Sequence, residues 1–269
     1  FHDPSYNVEI PMFMIHGNHD DPTGDKKLCA GDLLEAANLC NMFGRAENLD
    51  SIDIHPILLT KGSTRVAIYG LGNIRDERLN RAFQAQKVKF HTPPDYDSWF
   101  NIMVIHQNRY KGMLGGIPNK NCIHEQMIPA FFDVVIWGHE HDCQINPKPS
   151  LSGEFHIIQP GSSCATSLMQ GETIPKHVCL LEICGDNFRP VPLPLKTVRP
   201  FVMDDLVLAE TGLLPADEQG LHDLLTDKVT ELIQRVKSEI LYEEQKDMLP
   251  LVRLRVDYSD GYSTVANSR

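Results

Sequence analysis

Three histidine-bearing clusters in this sequence could hold metal ions and act on a phosphate. In Gly138-His139-Glu140-His141, the two histidines stand at i and i+2, so on an extended segment they project to the same side. Neutral imidazole is a common ligand of first-row metals. An HxH pair is weak evidence alone, because surface histidines are common. Here the apolar run Val134-Val135-Ile136-Trp137 comes directly before it, which puts the pair at a strand end. In Gly17-Asn18-His19-Asp20, glycine permits a sharp turn. Asn18 offers a neutral oxygen ligand. His19 can point at a phosphate and protonate or hydrogen-bond an oxygen, and Asp20 can hold that imidazole in orientation. Taken alone, the same tetrapeptide is as well read as an Asx-type turn. His106 closes a third apolar run. A buried strand-end histidine is usually a satisfied core residue, so its reading as a ligand depends on the other two clusters.

The elements that must position these clusters follow from the hydrophobic pattern. Val8 to His16, Asn101 to His106 and Asp133 to Gly138 read as buried strands that end in polar, His-bearing loops. Ile57 to Thr60 and Thr64 to Leu71 read as strands joined by a Lys61-Gly62-Ser63 turn, with further strands at Phe155 to Gln159 and Val178 to Ile183. Helices are expected at Gly24 to Phe43, Asp76 to Val88 and Glu125 to Phe132. In layered α/β folds, ligands bind beyond the carboxyl ends of strands, so the three clusters fall on one rim. Two such sheets face to face, with helices outside, make a four-layer αββα sandwich. Closely spaced prolines in Arg189-Pro190-Val191-Pro192-Leu193-Pro194 suggest an extended crossing segment. Beyond it lie a strand (Phe201 to Ala209), an amphipathic helix (about Asp217 to Lys246) and a strand (Leu251 to Tyr258). These divide the chain at 1–197 and 198–269, the latter a small α+β domain. Its helix stripe is expected to pack on its own sheet, with a partner-binding face as the alternative.

Composition limits the function classes. A chain of 269 residues, 42% hydrophobic, has room for one large domain or a medium one with a small companion. No apolar run approaches the roughly 20 residues of a membrane helix. The seven cysteines show no CxxC spacing and mostly have apolar neighbours. They read as buried reduced thiols in cytosol or nucleus, not as a zinc site. A net charge of −11 argues against a simple DNA-coating protein. It is compatible with an enzyme that contacts a nucleic-acid backbone locally.

Strand-GNHD, strand-His and strand-GHxH, in this order, resemble the calcineurin-like metallophosphoesterase superfamily. That resemblance implies two-metal hydrolysis, with Asn18, His106 and His139 on one ion, His141 on the other, and His19 as the catalytic histidine. Longer segments narrow it further: His16 to Gly24, Leu58-Leu59-Thr60-Lys61-Gly62-Ser63-Thr64, Trp137 to His141, Gln159-Pro160-Gly161-Ser162-Ser163 and Leu251 to Tyr258. They are similar to the eukaryotic Mre-eleven family of double-strand-break repair nucleases, from about Ile10 to Tyr258. This likeness implies an Mn²⁺-dependent 3′-to-5′ exonuclease and endonuclease acting on DNA ends in the nucleus. It also implies a homodimer, partnership with an SMC-like ATPase and nibrin, and a DNA-positioning capping role for the region after about Val198. Arg75, Arg78 and Arg81 fall on one helical run and Arg253 and Arg255 alternate on one strand face; each group reads as solvated charge, with phosphate contact as the alternative. The segment around Leu28, Leu33, Leu34 and Ala37 carries more apolar surface than one sheet face needs, so a dimer helix is the alternative to core packing.

The superfamily pattern begins with Asp-x-His and Gly-Asp before GNHD, and neither occurs between Phe1 and His16. These carboxylates include the one that bridges the metals. The expectation is that the N-terminal part of the domain lies outside this sequence, and that the 269 residues alone bind metal weakly and do not cut. Tyr262 is likewise followed by Ser263 sooner than the family leads one to expect. Two competing readings are a non-catalytic dimerisation and partner-binding scaffold, and a different phosphoesterase such as a protein phosphatase or cyclic-nucleotide phosphodiesterase.

Overall fold

A computed structural model describes residues 10–48, 50–112 and 121–262. In chain order the elements are β1 (Phe13–Met14), α1 (Ala30–Ala36), β2 (Asn41–Met42), β3 (Ile52–Ile54), β4 (Pro56–Lys61), β5 (Thr64–Leu71), α2 (Asp76–Gln84) and β6 (Val88–Phe90). They continue with β7 (Phe100–His106), β8 (Val134–Gly138), β9 (Gln144–Pro149), β10 (His156–Gln159), β11 (His177–Cys184), β12 (Asn187–Pro194), β13 (Phe201–Val207), α3 (Glu218–Ser238) and β14 (Leu251–Asp257). The chain divides into two compact units. One spans residues 1–161 and 179–193; the other spans 162–178 and 194–269.

The first unit is built on a six-stranded sheet in the order β4-β5-β7-β8-β10-β9. Its central strands β5, β7, β8 and β10 run parallel. Their near-continuous apolar runs are what a strand covered on both faces requires. Strict alternation sorts the side chains. Tyr69, Met103, Ile105, Val135, Trp137 and Ile157 face a core shared with Leu79 and Ala82 of α2. Phe100, Ile102, Val134 and Ile158 face the opposite way, against Cys179, Leu181, Ile183 and Phe188 of the β11–β12 pair. The unit is thus layered α/β, with helix, central sheet and a second sheet layer. In that second layer, among the described residues, the strands form the pairs β1–β2 and β11–β12.

Several expected elements change. The helix expected over 24–43 shrinks to seven residues. Lys27 at φ 49 turns the chain just before it, and Asn38 at φ 57 closes it in the left-handed conformation that favours Asn and Gly. The helix expected to reach Val88 stops at Gln84. Gln86 lies at φ 54, and Val88–Phe90 pairs with β3 instead. Glu125 to Phe132 yields only a 3₁₀ turn at Glu125–Met127. Ile128 precedes Pro129 and is driven to extended backbone. The proline-rich Asn187–Pro194 is a strand, tolerated because it pairs only with β11. Strand β9 was hidden in the sequence by Pro147 and Pro149, which an edge strand accepts.

In the second unit β13 and β14 pair in parallel from Phe201↔Leu251 to Val207↔Asp257. A parallel pair needs a long crossover, and α3 supplies it. Asp217 caps the helix by accepting the Gly220 amide at 2.9 Å. The α3 stripe packs on its own sheet: Leu232 and Val236 meet Val202 and Val252, and Leu221 meets Leu206 and Val256. Among the described residues no helix is long and apolar enough to cross a membrane.

Candidate metal centre

Strands β7 and β8 lie side by side with His106 opposite Gly138. The loops beyond their carboxyl ends therefore start at the same level. His106 continues the face of Ile102 and Val104, and two glycines make room for its ring. A Cβ on Gly17 would lie 2.8 Å from the imidazole, and one on Gly138 would lie 3.1 Å from its Nδ1. The glycines of both motifs thus bracket a histidine that belongs to neither.

The result is a compact donor group. His106 Nε2 lies 3.0 Å from Asn18 Oδ1, His139 Nδ1 lies 3.1 Å from the same oxygen, and the two nitrogens are 3.3 Å apart. Adjacent donors of an octahedron with bonds of about 2.1 Å stand about 3.0 Å apart. The three atoms therefore fit one face of a six-coordinate ion. Burial, reinforced by nearby His139, pushes His106 down to about 4. Its imidazole is neutral at physiological pH, as metal ligation requires. The donors are two imidazoles and an amide. Among the described residues no three His, Cys, Asp or Glu side chains gather round one point. The fit is to one ion, with carboxylate donors still to be supplied.

The remaining expected residues have separate settings. His19 is exposed on the turn that begins at Gly17. Asp20 accepts the Gly17 amide at 2.7 Å, closing the turn, and among the described residues no hydrogen bond joins it to His19. That bond runs three residues back along the chain, not two residues on as in an Asx-type turn. His141 is half-buried, and its presence lowers the basicity of His106. A Cβ on Gly161, at φ 75, would fall 2.6 Å from the His141 carbonyl, so this loop backs the HxH segment closely.

The five arginines are not equivalent. Arg75 and Arg78 line a groove of about 650 Å³ together with Lys26, Lys27 and Arg45, against the carboxylates of Asp21 and Glu47. The groove begins at His16, next to Gly17. Arg81 instead pairs with Glu77 at 3.3 Å along α2. Arg255 makes a two-pronged contact with Asp205, at 2.6 and 2.5 Å, and Arg253 donates to the Leu168 carbonyl. On the short α1 segment, Leu28, Leu33, Leu34 and Ala37 are all exposed, Leu33 to 75%.

Sequence reasoning left out the polar framework behind the donors. Glu140 is buried and accepts the Arg109 amide and the Lys111 ammonium. Asp76, at the start of α2, takes both the amide and the side chain of Asn108. The only signal in the sequence was the acidic residue inside the HxH pair.

A calcineurin-like phosphoesterase family model matches residues 2–143, and an Mre11 DNA-binding presumed domain matches residues 188–269. The chain is 46% identical to the double-strand break repair protein MRE11 of Arabidopsis thaliana over 280 residues, which is all of this chain and 38% of that protein. It is 47% identical to the Homo sapiens protein of the same name over 268 residues, 97% of this chain and 37% of that protein. It is 46% identical to the double-strand break repair protein mus-23 of Neurospora crassa over 274 residues, 96% of this chain and 36% of that protein. The chain thus spans a little over a third of the length of these relatives.

Proposed function

This chain belongs to the calcineurin-like phosphoesterase family, and from that premise we propose that it is the core of an Mn²⁺-dependent DNA nuclease, both 3′-to-5′ exonuclease and endonuclease, of a double-strand-break repair complex. The supporting observation is the Asn18–His106–His139 donor group, with an exposed His19 on the same turn as Asn18. In this reading Asn18, His106 and His139 hold one ion and His141 a second. Bound divalent ions would supply Lewis acidity and lower the pKa of a coordinated water. The protein's own residues do the rest. His106 stays neutral because it is partly desolvated and lies beside His139. Gly17 and Gly138 fix its ring. Asp20 holds the turn, so that His19 reaches a non-bridging or leaving oxygen of the phosphodiester as hydrogen-bond donor or acid.

DNA is the proposed substrate because the relatives are repair proteins, a DNA-binding domain model matches residues 188–269, and the first unit carries a cationic groove lined by His16, the neighbour of Gly17. In a chain of net charge −11, five cations line the groove with two carboxylates; Asp32 pairs with Arg45 and Glu77 lies 3.9 Å from Arg75, which leaves a small local positive surplus that suits backbone contact. Arg78 is the favoured contact, and Arg75, 3.9 Å from Glu77, is the next. Arg81, Arg253 and Arg255 hold partners within the fold and contribute less. Residues 198–269 act as the capping domain. The exposed Leu28, Leu33, Leu34 and Ala37 form a homodimer face. An SMC-like ATPase and nibrin are the proposed partners, and the nucleus the proposed location.

A second reading rests on the donor set itself, which contains no carboxylate among the described residues. In it the 269 residues serve as a dimerisation and partner-binding scaffold that does not cut. Incubation of full-length protein and His19→Ala with Mn²⁺ and 3′-labelled duplex separates the readings. Cleavage by the first alone supports the nuclease, and equal cleavage by both removes His19 from the mechanism. Activity or stoichiometric two-ion binding by the 269 residues alone refutes the scaffold.

A further inference from the structure

We propose that Glu140 is a positioning residue, which locks the two donor loops into one register without ligating an ion itself. The inference rests on the metal-centre reading above.

His139 sits at φ 78, a left-handed conformation that L-residues with a β-carbon rarely adopt. Such backbone persists only where its surroundings hold it. The residue that follows is the holder. After the kink Glu140 is buried, while His139 and His141 on either side stay half-exposed. One carboxylate oxygen, Oε1, accepts the Arg109 amide at 2.9 Å, and the other, Oε2, accepts Lys111 Nζ at 2.5 Å. Arg109 lies three residues beyond His106 on the loop that leaves β7. A single side chain therefore ties the His139 loop to the His106 loop.

The anchor is itself fixed. The Arg109 guanidinium donates twice to Glu125 Oε1, at 3.0 and 2.7 Å, and Glu125 Oε2 accepts the Leu151 amide at 2.7 Å. Both side chains of that ion pair are largely buried. A buried carboxylate requires charge compensation and filled acceptor sites. Lys111 supplies the charge to Glu140, with Asp142 3.8 Å away as a weaker partner of the same ammonium. With both oxygens occupied in this way, Glu140 faces away from the donor group. Its action is indirect: it holds the kink that brings His139 Nδ1 within 3.3 Å of His106 Nε2.

The two oxygens have separable tasks. Glutamine can still accept from the Arg109 amide, but its NH2 group cannot accept from Lys111 Nζ. Alanine loses both contacts. The test is metal binding by the full-length protein, followed by titration with Co²⁺, whose visible absorption reports ligand geometry, and with Mn²⁺ by calorimetry. Melting temperature is recorded as the fold control. Glu140→Ala is expected to bind about 10-fold or more weakly, within the range for loss of a ligand-supporting partner, with an altered Co²⁺ spectrum. Glu140→Gln is expected to keep the wild-type spectrum and most of the affinity. If Glu140→Ala does not fold, Glu140→Met, which fills the space without accepting, takes its place with the same expectation. Wild-type spectrum and affinity in a folded Ala or Met variant would overturn the proposal. So would equal losses in Gln and Ala. Cleavage by the wild-type protein is assayed separately. Metal binding with Glu140-dependent geometry but no DNA cleavage leaves the clamp standing and removes the nuclease reading. Absence of a Co²⁺ band in the wild type removes both.

Discussion

The two sides of the donor group are built in opposite ways. His106 ends a seven-residue strand and His139 follows a five-residue one, both in the middle of a six-stranded sheet, with Trp137, Ile105 and Val135 fully buried beside them. Asn18 and His19 follow a two-residue strand in a two-stranded pair, and both are exposed. The first side has its position dictated by the core. The second owes its position to local chemistry: one glycine, one carboxylate-to-amide bond and contact with the His106 ring. On the core side desolvation keeps the half-buried His106 imidazole neutral, and on the other side His19 faces solvent. Division of labour between a rigid donor platform and an accessible turn follows from that difference in burial.

The contrast can be broken most severely from the core side. Trp137→Ala removes a fully buried indole whose Nε1 donates to the Gln107 carbonyl at 2.8 Å. It should cost about 3–5 kcal/mol of stability, read by urea or thermal unfolding. Phe13→Ala on half-buried β1 should cost clearly less, and equal costs would show that the two sides are held alike. Next is Gly17→Ala, whose Cβ would stand 2.9 Å from His106 Nε2. A displaced ring should lower cleavage about 100-fold, equivalent to about 2.7 kcal/mol, with little change in melting temperature. A fully active variant would show that the turn can yield. Asp20→Ala deletes only the 2.7 Å bond to the Gly17 amide. It should cost about 1 kcal/mol and loosen the exposed turn, seen as faster amide exchange there and unchanged exchange in β7 and β8.

A further test sharpens the comparison by pH. His106 is pushed from 6.5 down to about 4, first by burial and then by His139. Between those values the unfolded chain takes up a proton that the folded chain refuses. Stability is therefore undiminished by this group above about pH 6.5, falls as pH drops toward 4, and levels off below. Unfolding midpoints of His106→Gln should fall less over this window than those of the wild type. Parallel curves would assign the loss to other groups.

Much of this was legible in the residues themselves. Runs such as Asn101 to His106 and Val134 to Gly138 announce strands because a segment buried on both faces must be apolar throughout, and the loops beyond them carry the histidines. The α3 stripe likewise specified a helix by its period, and its strands by their alternation. Short-range patterns could not reveal where helices would stop. Lys27, Gln86 and Asn38 turn through positive φ, β3 and β6 exist only by pairing with each other across the intervening β4, β5 and α2, and β9 exists by pairing with β10.

For the metal cluster, the residue types and their order determined which side chains could ligate. Gly-Asn-His-Asp, a strand-end His and Gly-His-x-His carry the necessary donors, and glycine signals a tight approach. Only the tertiary structure decided that the glycines of the first and third motifs enclose the histidine of the second, that burial keeps that histidine neutral, and that Glu140 faces inward to the Arg109 amide. The reason is physical. Donor identity is a property of a residue, whereas distance, burial and basicity are properties of its neighbours, and those neighbours come from segments separated by tens of residues.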